Sequence, residues 1–225
     1  MKRLLIIAAG VLIAIGVPIV LVILPIRLAM QPWIVPFQYS LPGLPPDPFG
    51  MSQAERLRLG LIGIDSVIGP QGMRVLNEAR FEDGQLAFNM REIRHMDDVR
   101  RLVDVVFPLH TVVSVAWLAL IVGLAIKPGT RRAAGNALLA GLIATAIGVV
   151  GLAFFATVGW DAFFTLFHRI FFVGDTWLFL TTDTLIRLYP EEFWFRIVLM
   201  IGAFILLEAV ALVLVAAWLK RSAKR

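Results

Sequence analysis

Four stretches of this 225-residue chain, residues 4–26, 107–126, 137–158 and 197–219, are apolar over the length needed to cross a bilayer, about 20 residues for a helix. Inside hydrocarbon every backbone N–H and C=O must be satisfied within the segment, which leaves the helix as the form each stretch can take. The pattern predicts an all-α membrane protein with four transmembrane helices, forming a single membrane domain over residues 1–225. Hydrophobic residues make up 59% of the chain and charged residues 16%, against roughly 45–50% and about 25% in soluble domains. A water-soluble single domain is excluded. The first stretch follows Met1-Lys2-Arg3, as a signal peptide would. Its apolar run exceeds the roughly 7–15 residues of a signal core and no clear A-x-A site closes it, so it reads as a retained helix. The chain has no cysteine. Disulfides, thiolate zinc sites and a cysteine nucleophile are therefore excluded, and without a lipobox cysteine the chain is not itself a lipoprotein.

The net charge of +5 would suit nucleic acid only if it formed a basic patch on a soluble surface. Instead the basic residues gather in alternate short segments that hold no Asp or Glu: Lys2 and Arg3, then Lys127, Arg131 and Arg132, then Lys220, Arg221, Lys224 and Arg225. The positive-inside rule places these segments, and with them both termini, in the cytoplasm. Residues 29–106 and 159–196 then face outward and hold every acid except Glu208. The charge is an orientation signal that meets anionic inner-leaflet lipid. No nucleic-acid partner is expected.

The two outward segments read as an extracytoplasmic cap of interfacial helices with a little extended structure. Pro32, Pro36, Pro42, Pro45, Pro46 and Pro48 predict a stiff, extended entry, with Trp33, Phe37, Tyr39 and Phe49 at the membrane interface. Ser52 and Glu55 have capping-box spacing. They open a helix to Ile68 that presents Leu57, Leu61, Ile64 and Ile68 on one face. Gly69-Pro70 ends that helix, Met73 to Ala79 forms a shorter one, and Asp83-Gly84 turns into a brief extended piece at Leu86-Ala87-Phe88. Asn89 and Glu92 repeat the capping box before a helix that carries His95 toward a break at Pro108. In the second segment Asp161 is the expected N-cap and Gly174 the C-terminal cap of a helix with aromatics on nearly every side. Thr182-Asp183 then starts a short helix through Tyr189, and Pro190-Glu191-Glu192 opens the last span.

All three histidines, His95, His110 and His168, fall on the outward half of the chain. Polar residues avoid the bilayer in any case, so a purely structural distribution also fits. The functional reading is that two imidazoles converge at the outer interface, where a near-neutral pKa suits proton transfer to and from a lipid ester or amine. Arg91, Glu92, Arg94 and Asp98 lie within about a turn of His95, and Arg169 adjoins His168. The arginines would hold a phosphate or an oxyanion, or form a solvated face. Glu92-x-x-His95 matches half of a di-iron bundle pattern, but no second E-x-x-H exists. No H-x-x-x-H pair supports zinc. His110 and Ser114 share a helix face, yet no G-x-S-x-G accompanies them, and a serine within a span more often bonds its own helix. Glu208, inside the last span, reads as a protonated packing group rather than a proton path. Gly135, Gly141, Gly148 and Gly151 are expected to let the third span pack closely. No metal or other cofactor is expected.

Glu92-Ile93-Arg94-His95-Met96-Asp97-Asp98-Val99, Phe167-His168-Arg169-Ile170-Phe171-Phe172, and Trp177 through Asp183-Thr184-Leu185-Ile186 to Pro190-Glu191-Glu192-Phe193 resemble the lipoprotein intramolecular transacylases, the Lit family of bacterial integral membrane proteins. The four-span layout fits as well, so the resemblance covers nearly the whole chain and is thinnest over residues 32–81. It implies an acyltransferase of the bacterial cytoplasmic membrane, with its active site on the extracytoplasmic side, acting on diacylglyceryl lipoproteins within membrane lipid. Such enzymes move the sn-2 acyl chain onto the α-amino group of the substrate's N-terminal cysteine and leave a lyso-form lipid. The family's two functional histidines match His95 and His168; His110 has no such counterpart. Arg91, Arg94, Arg169, Glu92 and Asp98 are then candidates for oxyanion stabilisation, substrate positioning or fixing the His95 tautomer, with a dry, partly apolar acyl pocket around the pair. Two other functions remain open on the same residues. One is a phospholipid acyltransferase or lipase at the outer leaflet. The other is a non-enzymatic scaffold docking a partner through Leu57, Leu61 and Ile64.

Overall fold

The computed structural model describes residues 2–223. Met1, Lys224 and Arg225 lie outside the described residues, and with them two of the basic residues in the C-terminal orientation signal. The described residues form nine helices: α1 (Lys2–Ala29), α2 (Ile34–Ser40), α3 (Gln53–Ile68), α4 (Met73–Glu78), α5 (Met90–Ile126), α6 (Pro128–Val158), α7 (Trp160–Phe171), α8 (Thr184–Leu188) and α9 (Glu191–Ser222). α1, α5, α6 and α9 are long and apolar enough to cross a membrane. The protein is an all-α, multi-pass membrane protein. Its extended structure is slight, an antiparallel bridge between Arg80 and Leu86 closed by Gly84 at φ +86°.

The 37 residues of α5 measure about 55 Å at 1.5 Å per residue, far more than a hydrocarbon core of about 30 Å. Eight of the seventeen residues from Met90 to Val106 are charged, so the apolar part beginning at Phe107 is the part that spans. The expected break at Pro108 does not occur, and Pro18 and Pro25 likewise sit within α1. Helices entering a membrane tolerate proline where neighbouring groups satisfy the freed carbonyl.

The chain divides into two compact units. The first contains residues 2–26, Phe107–Trp160 and residues 200–223. Its core joins Ile13, Val17 and Leu21 of α1 to Ile121 of α5, Ala134, Leu138 and Leu142 of α6, and Ala216 and Leu219 of α9. Two glycines of α6 permit this approach. A Cβ on Gly141 would lie 2.6 Å from the Ala14 carbonyl oxygen, and one on Gly135 would lie 2.9 Å from that of Ala216. Gly148 and Gly151 face open space, which corrects the expectation that all four glycines serve packing. Arg131 donates to the Ala125 and Ser222 carbonyls, at 2.8 and 3.3 Å. It thereby satisfies helix-terminal acceptors of α5 and α9.

The second unit contains Arg27–Val106 and Asp161–Leu199. Ser52 caps α3 as expected, accepting from the Glu55 N–H at 3.1 Å, but the Glu55 carboxylate turns away to accept from the Glu82 N–H. The face of α3 that packs is formed by Arg56, Leu59, Gly60, Gly63, Ser66 and Val67. The expected apolar row, Leu57, Leu61, Ile64 and Ile68, is half-exposed. Hydrogen bonding explains the difference. Tyr189 donates to the Gly60 carbonyl at 2.6 Å, and Arg56 donates to the carbonyls of Arg187 and Pro45. Small residues on that face let the tyrosine and the guanidinium reach backbone acceptors.

Three further expectations are corrected here. Residues 34–40 are helical rather than extended, because Pro36 occupies the first turn, where its missing N–H has no acceptor to serve. Tyr39 is buried, with its hydroxyl on the Leu188 carbonyl at 2.7 Å, while Trp33, Phe37 and Phe49 stay exposed. Asp161 lies in the first turn of α7, which begins at Trp160.

A methyl added at Gly141 meets the Ala14 carbonyl oxygen and the β-carbon of Val17, neither of which can swing aside. Gly141→Ala is therefore expected to destabilise the protein by about 1–3 kcal/mol. Gly148→Ala should leave the thermal midpoint of purified protein unchanged.

Candidate functional site

α5 starts where its capping box specifies. The Asn89 side-chain oxygen accepts from the N–H groups of Arg91 and Glu92, at 2.9 and 3.2 Å, and the Glu92 carboxylate accepts from the Asn89 N–H at 2.8 Å. Glu92 is 1% exposed. Its second oxygen accepts from the Leu185 N–H at 2.6 Å, which fastens the start of α5 to α8. Burial raises its pKa, opposed by these backbone donors. Asp183 reinforces the joint, accepting from the Asn89 amide and the Leu180 N–H and pairing with Arg91. One turn further along α5, His95 is set into a buried position.

α7 presents His168. The ring Nδ1–H donates to the Phe164 carbonyl at 2.8 Å. A carbonyl oxygen can only accept, so the proton sits on Nδ1 and the neutral ring keeps Nε2 as a free acceptor. The centroids of His95 and His168 are 5.9 Å apart and the rings are inclined by 32°. Aromatic rings enclose both. Phe172 and Phe179 stand edge-on to His95 at 5.1 and 5.3 Å. Trp177 stacks on His168 at 5.0 Å, and Phe164 lies 4.1 Å from it.

The surroundings hold both rings neutral. Burial, and secondarily the positive form of His168, lower the pKa of His95 from 6.5 to about 4. Burial also lowers that of His168, against the bond to Phe164. His95 Nδ1 is buried without a hydrogen-bond partner among the described residues.

The remaining candidates are distributed differently. Neither expected carboxylate fixes the His95 tautomer through Nδ1. Glu92 is committed to backbone donors, and Asp98 accepts from the Thr176 hydroxyl at 3.1 Å. Arg91 pairs with Asp183 at 3.4 Å. Arg94 and Arg169 are exposed, and Arg169 borders an open cleft of about 380 Å³ with Asp161, Thr165 and Leu166. A second cleft, of about 350 Å³, is lined by Phe49, Glu55, Phe81 and Arg187 among others. Neither cleft is lined by a histidine, so neither is the acyl pocket expected around the pair. His110 belongs to the other unit, with Nε2 3.2 Å from the Ser114 hydroxyl. Glu208 leaves one buried oxygen without a hydrogen-bond partner among the described residues. No three His, Asp or Glu side chains among the described residues are arranged to hold a metal ion. Sequence reasoning missed Phe179 and the Asp183 joint, since no spacing rule connects residues 84 to 94 positions apart.

Fold and site together define a multi-pass helical membrane protein with a buried, aromatic-walled histidine pair. The family model described as "Lipoprotein intramolecular transacylase Lit" matches residues 11–194, and the chain belongs to that family. An uncharacterized protein of Aquifex aeolicus (strain VF5) is 32% identical over 169 residues, covering 75% of this chain and 74% of the relative. Among solved structures, the membrane integral lipoprotein intramolecular transacylase Lit from Bacillus cereus shares the fold with a TM-score of 0.68 at 19% identity, covering 100% of this chain and 98% of that one. A Bacillus cereus Lit variant with one histidine replaced by alanine gives 0.66 at 17% identity, covering 99% and 97%.

The depressed His95 pKa has a consequence for stability. Between about pH 6.5 and pH 4 the unfolded chain binds more protons at this residue than the folded protein. The His95 contribution is thus complete above pH 6.5 and lost as pH falls toward 4. Glu92 acts in the opposite direction, so the informative quantity is a difference. His95→Gln should flatten the decline of thermal midpoint between pH 7 and pH 4 relative to the unaltered protein; an equal decline in both would contradict the depressed pKa.

Proposed function

We propose that this protein is an intramolecular acyltransferase acting on diacylglyceryl lipoproteins in the bacterial cytoplasmic membrane. It moves the sn-2 acyl chain to the α-amino group of the N-terminal cysteine and leaves the lyso-form lipoprotein. The observation that carries the reading is the pair of neutral histidines 5.9 Å apart within an aromatic wall, in a chain of the Lit family. Donor ester and acceptor amine sit on one substrate molecule, so orientation and proton transfer suffice and no acyl-enzyme is needed.

In the proposed reaction the amine nitrogen attacks the sn-2 ester carbonyl, forming the C–N bond. One imidazole takes the proton that the nitrogen sheds. The C–O bond then breaks and the departing sn-2 oxygen receives a proton from an imidazole, giving an amide and an alcohol with nothing consumed. The Nδ1–H tautomer of His168 leaves Nε2 suited to accept a proton. Imidazoles held neutral by burial can act as bases at neutral pH and do not repel the substrate's ammonium. The aromatic wall limits water, which would otherwise hydrolyse the ester. In this reading Glu92 and Arg91 act by holding the start of α5, and Arg94 and Arg169 remain available to lipid headgroups. The reacting side is extracytoplasmic, as the distribution of Lys and Arg implies.

His95→Ala and His168→Ala should each abolish lyso-form production in cells while leaving folded protein in the membrane. Mass spectrometry of the lipoprotein N-terminal peptide reads the result, because only this chemistry places an acyl amide on cysteine and leaves a single ester chain. Product retained with both histidines replaced would sink the mechanism, and free lipid as the acyl acceptor would point to a phospholipid acyltransferase. Orientation has its own check, since the chain lacks cysteine. In intact cells an impermeant maleimide should label Gln85→Cys and should reach Gly129→Cys only after permeabilisation.

A further inference from the structure

The segment from Thr176 to Leu185 runs antiparallel to the first turns of α5 and is bonded to that helix at both ends. At one end Asp183 accepts from the Asn89 amide at 2.9 Å and the Leu185 N–H donates to Glu92 at 2.6 Å. At the other, the Thr176 hydroxyl donates to the Asp98 carboxylate at 3.1 Å. Between these ties the strap places one aromatic ring on each histidine, Phe179 edge-on to His95 and Trp177 stacked on His168. Trp177 is 6% exposed and its indole N–H donates to the Gly174 carbonyl at 3.1 Å, so both the face and the edge of the ring are committed.

The two ties differ in strength. The Asp183 end is a network around two buried carboxylates: the Asn89 amide donates to Asp183, the Leu185 N–H donates to Glu92, and Arg91 pairs with Asp183. The Thr176 end is a single side-chain hydrogen bond. Thr176 and Asp98, three residues beyond His95 on α5, thus form the tie to α5 that lies next to Trp177. Turning an imidazole about its χ2 axis exchanges Nδ1 with Cδ2 and Nε2 with Cε1, so the Nδ1–H bond to Phe164 that fixes the tautomer survives only while the ring is held in one orientation.

We propose that Trp177 is a positioning residue for His168, and that Asp98 acts through Thr176 to hold it there, so that the Nε2 atom of His168 is kept directed at the reacting group. This rests on the transacylase reading for its kinetic consequence but not for its geometry. A carboxylate near a histidine is ordinarily assigned to the imidazole itself; here it serves the opposite histidine, through the strap.

The test uses the full chain in detergent or lipid with imidazole-labelled histidine, comparing Thr176→Val, Asp98→Ala, Trp177→Ala, Trp177→Phe and Thr176→Ser. Nitrogen chemical shifts read the His168 tautomer without substrate, and turnover of a diacylglyceryl lipopeptide is followed by mass spectrometry. The unaltered protein should show a single Nδ1–H tautomer. Thr176→Val and Asp98→Ala should convert it to a mixture and lower kcat about tenfold with KM little changed, and Trp177→Ala about a hundredfold, the scale set by misplacing a catalytic group by an ångström. Thr176→Ser, which keeps the hydroxyl, and Trp177→Phe, which keeps a ring, should restore most of the tautomer and the rate. An unchanged His168 tautomer in Thr176→Val and Trp177→Ala overturns the proposal, whether or not kcat falls. Failure of the unaltered protein to turn over the lipopeptide would remove the transacylase reading instead, and the tautomer measurement would still decide the positioning role.

Discussion

A carboxylate withdrawn almost completely from water has to find donors for its oxygens, and the second unit is organised around how Glu92 does so. With 1% of its surface exposed, an unsatisfied charge there would cost several kcal/mol. One oxygen takes the Asn89 N–H and so completes the cap of its own helix. The other takes the Leu185 N–H, 93 positions along the chain. That second bond brings α8 and the strap preceding it against α5. It thereby brings Phe179 to His95 and Trp177 to His168. A local helix-capping motif thus doubles as the long-range joint on which the histidine pair depends.

The same withdrawal from water sets the chemistry available to the pair. Two imidazoles 5.9 Å apart in an exposed cleft would be partly charged and would repel each other as well as any approaching ammonium. Aromatic burial keeps them neutral. In the proposed reaction that neutrality is what an amine nucleophile requires, since its proton must go to a base that is not already protonated. The absence of cysteine from the chain fits the proposal for a related reason: a substrate carrying both ester and amine supplies its own nucleophile, and the protein contributes orientation, proton transfer and exclusion of water.

Several local signals were legible in the sequence. The Ser52 cap and the Asn89 capping box start α3 and α5 where spacing places them, and the turn at Gly84 adopts the positive φ that glycine permits. Other inferences failed where a tertiary contact outweighed local preference. Leu57, Leu61 and Ile64 form a regular apolar row, yet the opposite face of α3 is buried because Gly60 and Gly63 admit Tyr189. Tyr39 has the composition of an interfacial anchor, but its hydroxyl finds a buried carbonyl. Pro108 lies within an unbroken α5. Of the charged residues grouped around His95 by helical spacing, Asp98 and Glu92 bond to the strap rather than to the imidazole.

By itself the sequence determined the helical architecture, because runs of about twenty apolar residues admit no other form in hydrocarbon, and it singled out His95 and His168 through the motifs around them. Only the tertiary structure decided that these two rings meet, that His168 carries its proton on Nδ1, and that the wall around the pair is built by Phe172, Trp177 and Phe179. The physical reason is range. Hydropathy and capping act over a few residues and are written in neighbouring positions, whereas the tautomer, burial and mutual distance of two histidines 73 positions apart depend on hydrogen bonds that exist only once α5, α7 and the strap have packed.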